Sequence, residues 1–396
     1  MRFNLTFGLG GMAALLVVAQ VAICMVLLIC SGLFLRSLGS AGDIDLGFAN
    51  RNLLLTGFDP SLNGYSAEQT RHLLDRILET TGALPGVESA SLTSSVPLNM
   101  EGTQNGVSPQ GTAETTPITA DAYSVAPRFF ETFGIRMIGG EDFRPGMAAG
   151  DAVIVNQALA DRAFPHQNPL GRRLDYLGRT VRIIGLVATT KSRSIGEDPH
   201  PCLYSPMFRD LKGNDSSTGM TLVLRTRGKP ATYAPAVREA IRGVDPALAL
   251  FEIRTMDAQI YKALFLPRAA ALLFGLAGLM GLFISTIGIY GVISFSVAGR
   301  TREIGVRMAL GARRAQVLGM VLRQGLALTL AGCAIGMGLA LAVSRAAASL
   351  LYGISPTDTL TFLLAPALLL LIAAAACLAP AHRAGSLDPL HALKYE

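Results

Sequence analysis

Side chains able to do chemistry are few in this chain and stand far apart. The five histidines, His72, His166, His200, His382 and His391, are scattered; His200 and Cys202, flanking Pro201, could in principle share a metal. Zinc and most transition metals take three or four protein ligands, so a pair in one loop falls short, and the stretch reads as a plain loop. Cys24, Cys30, Cys333 and Cys377 lie in apolar runs and Cys202 stands alone, which gives neither a disulfide framework nor a CxxC knuckle. A phosphate-cradling loop needs glycine-rich backbone, a lysine on the terminal phosphates and a hydroxyl on magnesium. The one Gly-Lys pair, Gly228-Lys229, is followed by Pro230 and fails that pattern. No GxSxG elbow, HExxH helix or calcium loop occurs. The chain is expected to have no catalytic centre, no metal and no directly bound cofactor.

One charged segment stands out. Between Arg300 and Arg323 there are six arginines (Arg300, Arg302, Arg307, Arg313, Arg314, Arg323) against the single Glu303, whereas the stretch from Arg36 to Arg268 holds 24 basic and 24 acidic residues. Most of the +6 net charge therefore sits in one short loop. The surrounding sequence is 51% hydrophobic and only 16% charged, far from the quarter or so charged that soluble chains carry. Four apolar runs, Leu9 to Leu35, Ala269 to Phe295, Val317 to Val343 and Leu360 to Leu378, each reach the roughly 20 residues needed to cross a bilayer core. The first exceeds the usual length of a signal-peptide core and reads as a span. A loop between two spans is too small for a nucleic-acid-binding domain, so nucleic acid is excluded as a partner.

Cytoplasmic loops carry the excess of Lys and Arg. The arginine loop, residues 296–316, therefore faces the cytoplasm with the termini, 1–8 and 379–396. The long segment 36–268 and the loop 344–359 face outward. The spans carry packing signals rather than chemistry. Gly275, Gly278, Gly281, Gly288 and Gly291 recur at near-helical spacing in the second, and Gly332 and Gly336 form a GxxxG pair in the third. Such spacing permits close backbone approach, inside one bundle or between two copies. Gln20, the one amide of the first span, is expected to hydrogen-bond to a neighbouring helix.

The outer segment reads strand Asn52 to Phe58, helix Ala67 to Thr81, strand Val87 to Ser94, and later strand Thr221 to Thr226, helix Ala231 to Arg242, strand Leu248 to Arg254. Ser66 and Gln69 have capping-box spacing, and Pro85-Gly86 makes a turn. Two β-α-β units in this order predict a ferredoxin-like lobe, 45–95 with 221–262. It is interrupted by an insertion, 96–220, too long for a structureless connection and expected to fold as a smaller mixed α/β lobe. The fold class is thus four transmembrane helices plus an α+β domain outside the cytoplasm.

Within the arginine loop, Glu303 and Arg307 are spaced for an i to i+4 pair. Ile304, Met308 and Leu310 to Ala312 supply an apolar stripe, and Gly311 offers a break. A short amphipathic helix at the inner membrane surface follows, serving as a lipid anchor or as a docking surface for a cytoplasmic protein.

The loop segment Glu303-Ile-Gly through Ala309-Leu-Gly-Ala312 resembles that of the MacB/FtsX-type permeases of ABC transporters. Ser124-Val-Ala-Pro-Arg-Phe-Phe, Gly139-Gly-Glu-Asp-Phe, Val153-Ile-Val-Asn-Gln-Ala-Leu and Asn168-Pro-Leu-Gly-Arg are similar to the family's outer domain, and Pro380-Ala-His-Arg-Ala with Asp388-Pro-Leu-His to its cytoplasmic tail. The resemblance implies a permease domain over 269–396 and a MacB-like core domain over 36–268 with a porter lobe and an inserted lobe. It also implies residence in the bacterial inner membrane. A separate ATPase subunit would dock on Glu303, Ile304, Arg307, Ala309, Leu310, Gly311, Arg313 and Arg314, and ATP would act through that partner. A second permease copy or paralogue would complete a dimer, and a periplasmic or outer-membrane component would join it. The opening Val17-Val-Ala-Gln-Val-Ala and Phe34-Leu-Arg-Ser-Leu resemble the second half of the family's duplicated permeases, and the ATPase domain is expected on a separate chain and not fused to this one. Export or force transmission is the implied function. A membrane-anchored receptor or scaffold is the alternative from another class.

Overall fold

The computed structural model describes residues 2–41, 44–99, 102–110, 116–144, 152–207, 219–310 and 313–385. The chain opens with α1 (Arg2–Ala41). There follow β1 (Leu53–Phe58), α2 (Ala67–Gly82), β2 (Val87–Thr93), β3 (Gln104–Pro109), β4 (Ile118–Val125), α3 (Phe129–Phe133), β5 (Met137–Gly140), β6 (Ala152–Asn156), α4 (Gln157–Ala163), β7 (Arg173–Tyr176), β8 (Arg179–Val187), β9 (Cys202–Pro206), β10 (Met220–Thr226), α5 (Ala234–Val244), β11 (Leu250–Thr255) and α6 (Met256–Ala263). Four helices close the chain: α7 (Phe265–Gly299), α8 (Thr301–Ala309), α9 (Arg314–Ala346) and α10 (Thr359–Gly385). Two compact units result, Ile44–Phe265 and the helical unit Met1–Asp43 with Leu266–Glu396.

In the Ile44–Phe265 unit, β11, β1, β10 and β2 lie side by side in that order, all neighbours antiparallel. Leu54, Phe58, Leu92, Leu222 and Leu224 of this sheet share one core with Leu74 and Ile77 of α2 and Val237 and Ile241 of α5, each such side chain contributing about 1.5–3 kcal/mol on burial. The start of α2 is fixed by its capping box: Ser66 Oγ accepts from the Gln69 N–H at 3.2 Å, and Gln69 Oε1 accepts from the Ser66 N–H at 2.8 Å. The second helix starts later than its spacing suggests. Residues Pro230–Tyr233 form a 3-10 turn and α5 begins at Ala234, because Pro235 has no N–H with which to continue an α-helical ladder backward.

The inserted stretch closes on itself. Strands β4, β3, β7, β8, β6 and β9 pair in sequence, and β9 returns to pair in parallel with β4, making a six-stranded barrel. Its interior is filled by Val107, Val153, Leu159, Phe164, Leu174, Val181, Ile183 and Leu203. It is not a separate body. Thr93 of β2 pairs with Val125 of β4, and α3, although part of the insertion, is bound to the four-stranded sheet through the Arg225 Nε–H, donated to Thr132 O at 2.8 Å.

Among the described residues of the helical unit, four helices are long and apolar enough to cross a membrane: α1, α7, α9 and α10. Val21, Met25, Ile29 and Leu33 of α1 form their core with Val321 and Cys333 of α9 and Leu369 and Ala373 of α10. Gly332 and Gly336 face α1 directly, so that pair serves packing within one chain. Of the α7 glycines, Gly278 faces Leu28, Gly281 faces Cys24 and Gly288 faces Gln20, whereas Gly291 meets nothing within 4 Å among the described residues. Gln20 also departs from expectation. Its Oε1 is buried yet accepts no hydrogen bond among the described residues, because the helix facing it there offers a glycine in place of a polar side chain. Asp358 caps the start of α10 by accepting from the Thr361 N–H at 2.9 Å, and it also pairs with Arg36 of α1.

Candidate functional site

The chain breaks its helix at Arg300, turning α7 into α8. Glu303 and Arg307 form the expected pair at 2.7 Å. Ile304 is buried against Val317 of α9, with Val297 and Met308 alongside. Leu310 does not extend this stripe: it is 83% exposed, as Val306 is at 42%. The reason is angular. At 100° per residue, Leu310 stands about 120° around the helix from Ile304, while Met308 stands only about 40° away. Thus α8 has an anchored face, Ile304 and Met308, and a bare one, Val306 and Leu310. Arg313 and Arg314 are both exposed where α9 begins, and the Arg313 N–H is held by Gln316 Oε1 at 3.0 Å. Ala309 ends α8. Gly311 and the tail bearing Asp388 lie outside the described residues.

A second polar centre escaped the sequence reading. Asp121 on β4 is 2% exposed, and it accepts from Arg193 Nη2 at 2.7 Å, Arg193 Nε at 3.0 Å and Ser192 Oγ at 2.8 Å. His200 Nε2 lies 3.6 Å from the same carboxylate, so the stretch read as a plain loop is part of a buried polar cluster. Glu197 gathers its own loop by accepting the N–H groups of Arg193 at 3.1 Å, Ser194 at 3.2 Å and also Ser192. Leu98, in the left-handed region at φ 61°, donates its N–H to Ser192 O at 2.8 Å and accepts from Gln259 Nε2 of α6 at 3.3 Å. The available signal was the alternation of β4, which puts Asp121 on the same face as Tyr123 and Val125.

This cluster is not a hydrolytic triad. The serine hydroxyl bonds the carboxylate rather than the imidazole, so no base is placed to draw off its proton. Among the described residues no group of three His, Cys, Asp or Glu could hold a metal ion. Hydrogen bonding to Asp121 raises the pKa of Arg193 and keeps it charged. Burial, with the Asp121 carboxylate nearby, pushes the Cys202 thiol up to about 12. At pH 8 only about one thiol in 10⁴ would be ionised. Native protein treated with iodoacetamide at pH 8 should therefore leave Cys202 unmodified by mass spectrometry, with complete reaction after urea unfolding. Modification of the folded protein within minutes would contradict this burial.

Residues 14–244 match the family model of the MacB-like periplasmic core domain and residues 275–389 that of the FtsX-like permease C-terminal. The first spans more than half of the chain, which belongs to the MacB/FtsX-type ABC transporter permease family. Its relatives include the macrolide export ATP-binding/permease protein MacB of Neisseria gonorrhoeae, 25% identical over 59% of this chain and 37% of that one. Another is the ABC transporter permease YknZ of Bacillus subtilis, 28% identical over 66% of this chain and 65% of the relative. The chain therefore spans well under half the length of that MacB relative. Among solved structures, the periplasmic region of MacB from Actinobacillus actinomycetemcomitans aligns with 54% of this chain and 92% of its own, at 16% identity and a TM-score of 0.38.

Proposed function

We propose that this chain is the non-catalytic membrane subunit of an ABC transporter, in which ATP hydrolysis by a separate subunit moves α8 and, through α7 and α6, the unit outside the cytoplasm. The observation that carries this reading is the two-faced α8. Ile304 and Met308 fasten it to Val317, while Val306 and Leu310 stay bare beside Arg313 and Arg314, as a helix must if another protein is to grip it. The positive-inside rule puts α8 and both termini in the cytoplasm and the Ile44–Phe265 unit outside the inner membrane.

The order β11-β1-β10-β2, with α2 and α5 in the shared core, supports reading this sheet as the ferredoxin-like porter lobe and the barrel as the inserted lobe. Gly291 on α7, which no described residue approaches within 4 Å, suits pairing with a second permease. Force transmission is favoured over passage of a polar substrate through the bundle, because its buried polar residues among those described, Ser31, Ser37, Ser285, Thr329, Ser344 and Thr361, carry single hydroxyls and no ionisable group.

Purification of the tagged chain from its host in mild detergent tests this. Wild type should bring down an ATP-hydrolysing chain, and both Leu310→Asp and Arg313→Glu/Arg314→Glu should reduce the co-purified ATPase activity at least about tenfold. Full retention by both variants would sink the docking role of α8. Absence of any ATPase with wild type would favour the receptor or scaffold.

A further inference from the structure

Two stretches of the Ile44–Phe265 unit connect it in sequence to the long apolar helices. Residues 44–52 lead from α1 into β1, and α6 leads from β11 into α7. Chain continuity makes β1 and β11 follow any movement of these connections. The barrel has no such direct link, yet both connections fasten to one of its loops, residues 189–193 after β8. On the first connection, Leu46 O accepts from the Lys191 N–H at 2.9 Å. Gly47, at φ 76°, lies so close that a Cβ there would run into Thr189 O, so only glycine fits. On the second, buried Gln259 of α6 donates from Nε2 to Leu98 O at 3.3 Å, and the Leu98 N–H is donated to Ser192 O at 2.8 Å. The loop is in turn pinned to the barrel. Thr189 Oγ1 accepts from the Ala158 N–H of α4 at 3.1 Å, and Asp121 of β4 accepts from Ser192 Oγ at 2.8 Å and Arg193 Nη2 at 2.7 Å.

The α6 side of this junction is built at a cost. Leu98 is a bulky residue held in the left-handed region at φ 61°, where side chains crowd the backbone. Gln259 Oε1 is buried without a hydrogen-bond partner among the described residues, a penalty that an apolar side chain would avoid. Neither residue belongs to a strand of the sheet or the barrel. What the two achieve together is to join α6 to Ser192.

We propose that loop 189–193 is a clasp that passes movement of both connections to the barrel. Gln259 and Leu98 are its positioning residues on the α6 side, Gly47 is the one on the α1 side, and Asp121 is the pin that keeps the loop stiff. The inference rests on reading the chain as a force-transmitting subunit and names the residues that carry the force beyond α6. With the clasp shut, the barrel follows α6. With it open, the barrel keeps its hold on the sheet through Thr93 and Val125 but loses its hold on α6.

Hydrogen exchange on the full chain in nanodiscs tests the clasp without any ATPase, by cutting one connection and reading the other, since coupling between two sites is reciprocal. Gln259→Met keeps the side-chain length and removes the donor. The Lys191 amide, bonded to Leu46 on the opposite side of the loop, should then exchange about tenfold faster. Gly47→Ala should accelerate the Leu98 amide to a similar degree, and unchanged β10 amides report that the unit stays folded. Should Gly47→Ala fail to fold, Gln259→Met alone decides. Acceleration confined to the side that was cut would overturn the proposal, because a merely local contact does only that. In the complex with a co-purified ATPase, ATP with orthovanadate should alter exchange in β9 of wild type. Gln259→Met should retain the ATPase and its hydrolysis yet lose most of that β9 response, and an undiminished response would also overturn the clasp. Failure of wild type to bring down an ATPase would count against the docking role of α8, and the nanodisc experiment would still decide the clasp.

Discussion

Gly336→Leu is expected to abolish recovery of the folded chain, while Gly291→Leu leaves it intact. A Cβ at Gly336 would lie 2.7 Å from the carbonyl oxygen of Ala22 and 2.7 Å from Met25 Cβ, and one at Gly332 would lie 2.9 Å from the carbonyl oxygen of Val18. Backbone carbonyls cannot rotate aside as a side-chain end can. The added atoms must therefore drive α1 from α9, and the core shared by Val21, Met25 and Cys333 opens with them. Overpacking a core costs about 1–3 kcal/mol even where side chains can give, and more than about 3 kcal/mol is expected against backbone. Among the described residues nothing lies within 4 Å of Gly291, so a leucine there has room. Size-exclusion chromatography of fluorescently tagged variants in detergent reads both. A monodisperse Gly336→Leu peak of wild-type height would show that the α1–α9 contact is not tight.

Asp121→Ala should loosen the loop it holds by about 3 kcal/mol. Removing one partner of a buried ion pair costs about 3–5 kcal/mol because the other is left unmatched. The lower end applies here, since the Arg193 side chain keeps 33% exposure and can turn toward water. Hydrogen exchange gives the readout: the Arg193 and Ser194 amides, held by Glu197, should exchange about 100-fold faster. Asp121→Asn, which keeps an acceptor for Ser192 but loses the charge, should fall between. Unchanged exchange in the alanine variant would mean that Glu197 alone organises the loop.

What could be read from the sequence was what neighbours in sequence decide. The capping box of Ser66 and Gln69, the Glu303–Arg307 pair and the four apolar helices depend on residues a few positions apart, where 3.6-residue and two-residue periods are visible. The closed barrel was not legible, because the parallel pairing of β4 with β9, Asp121 beside Cys202, joins residues whose partnership no local period announces. The Asp121 cluster draws on residues 121, 192, 193, 197 and 200, and four of these come from one irregular stretch. Leu310 was misplaced for a simpler reason: counting apolar residues along a segment ignored the angle at which each leaves the helix.

The pairing of β1 also decides the order in which the protein can be completed as it is made. Leu55 pairs with Val223 on one side and Arg254 on the other, so the first strand synthesised has no partner until almost the whole outer unit has been made. Every barrel strand precedes β10 in the chain. The inserted sequence can thus close while β1 still waits, and the contact of greatest sequence separation comes last. Synthesis halted just before Met220 would leave a finished barrel beside a bare strand, which makes β1 the segment most in need of protection during biogenesis.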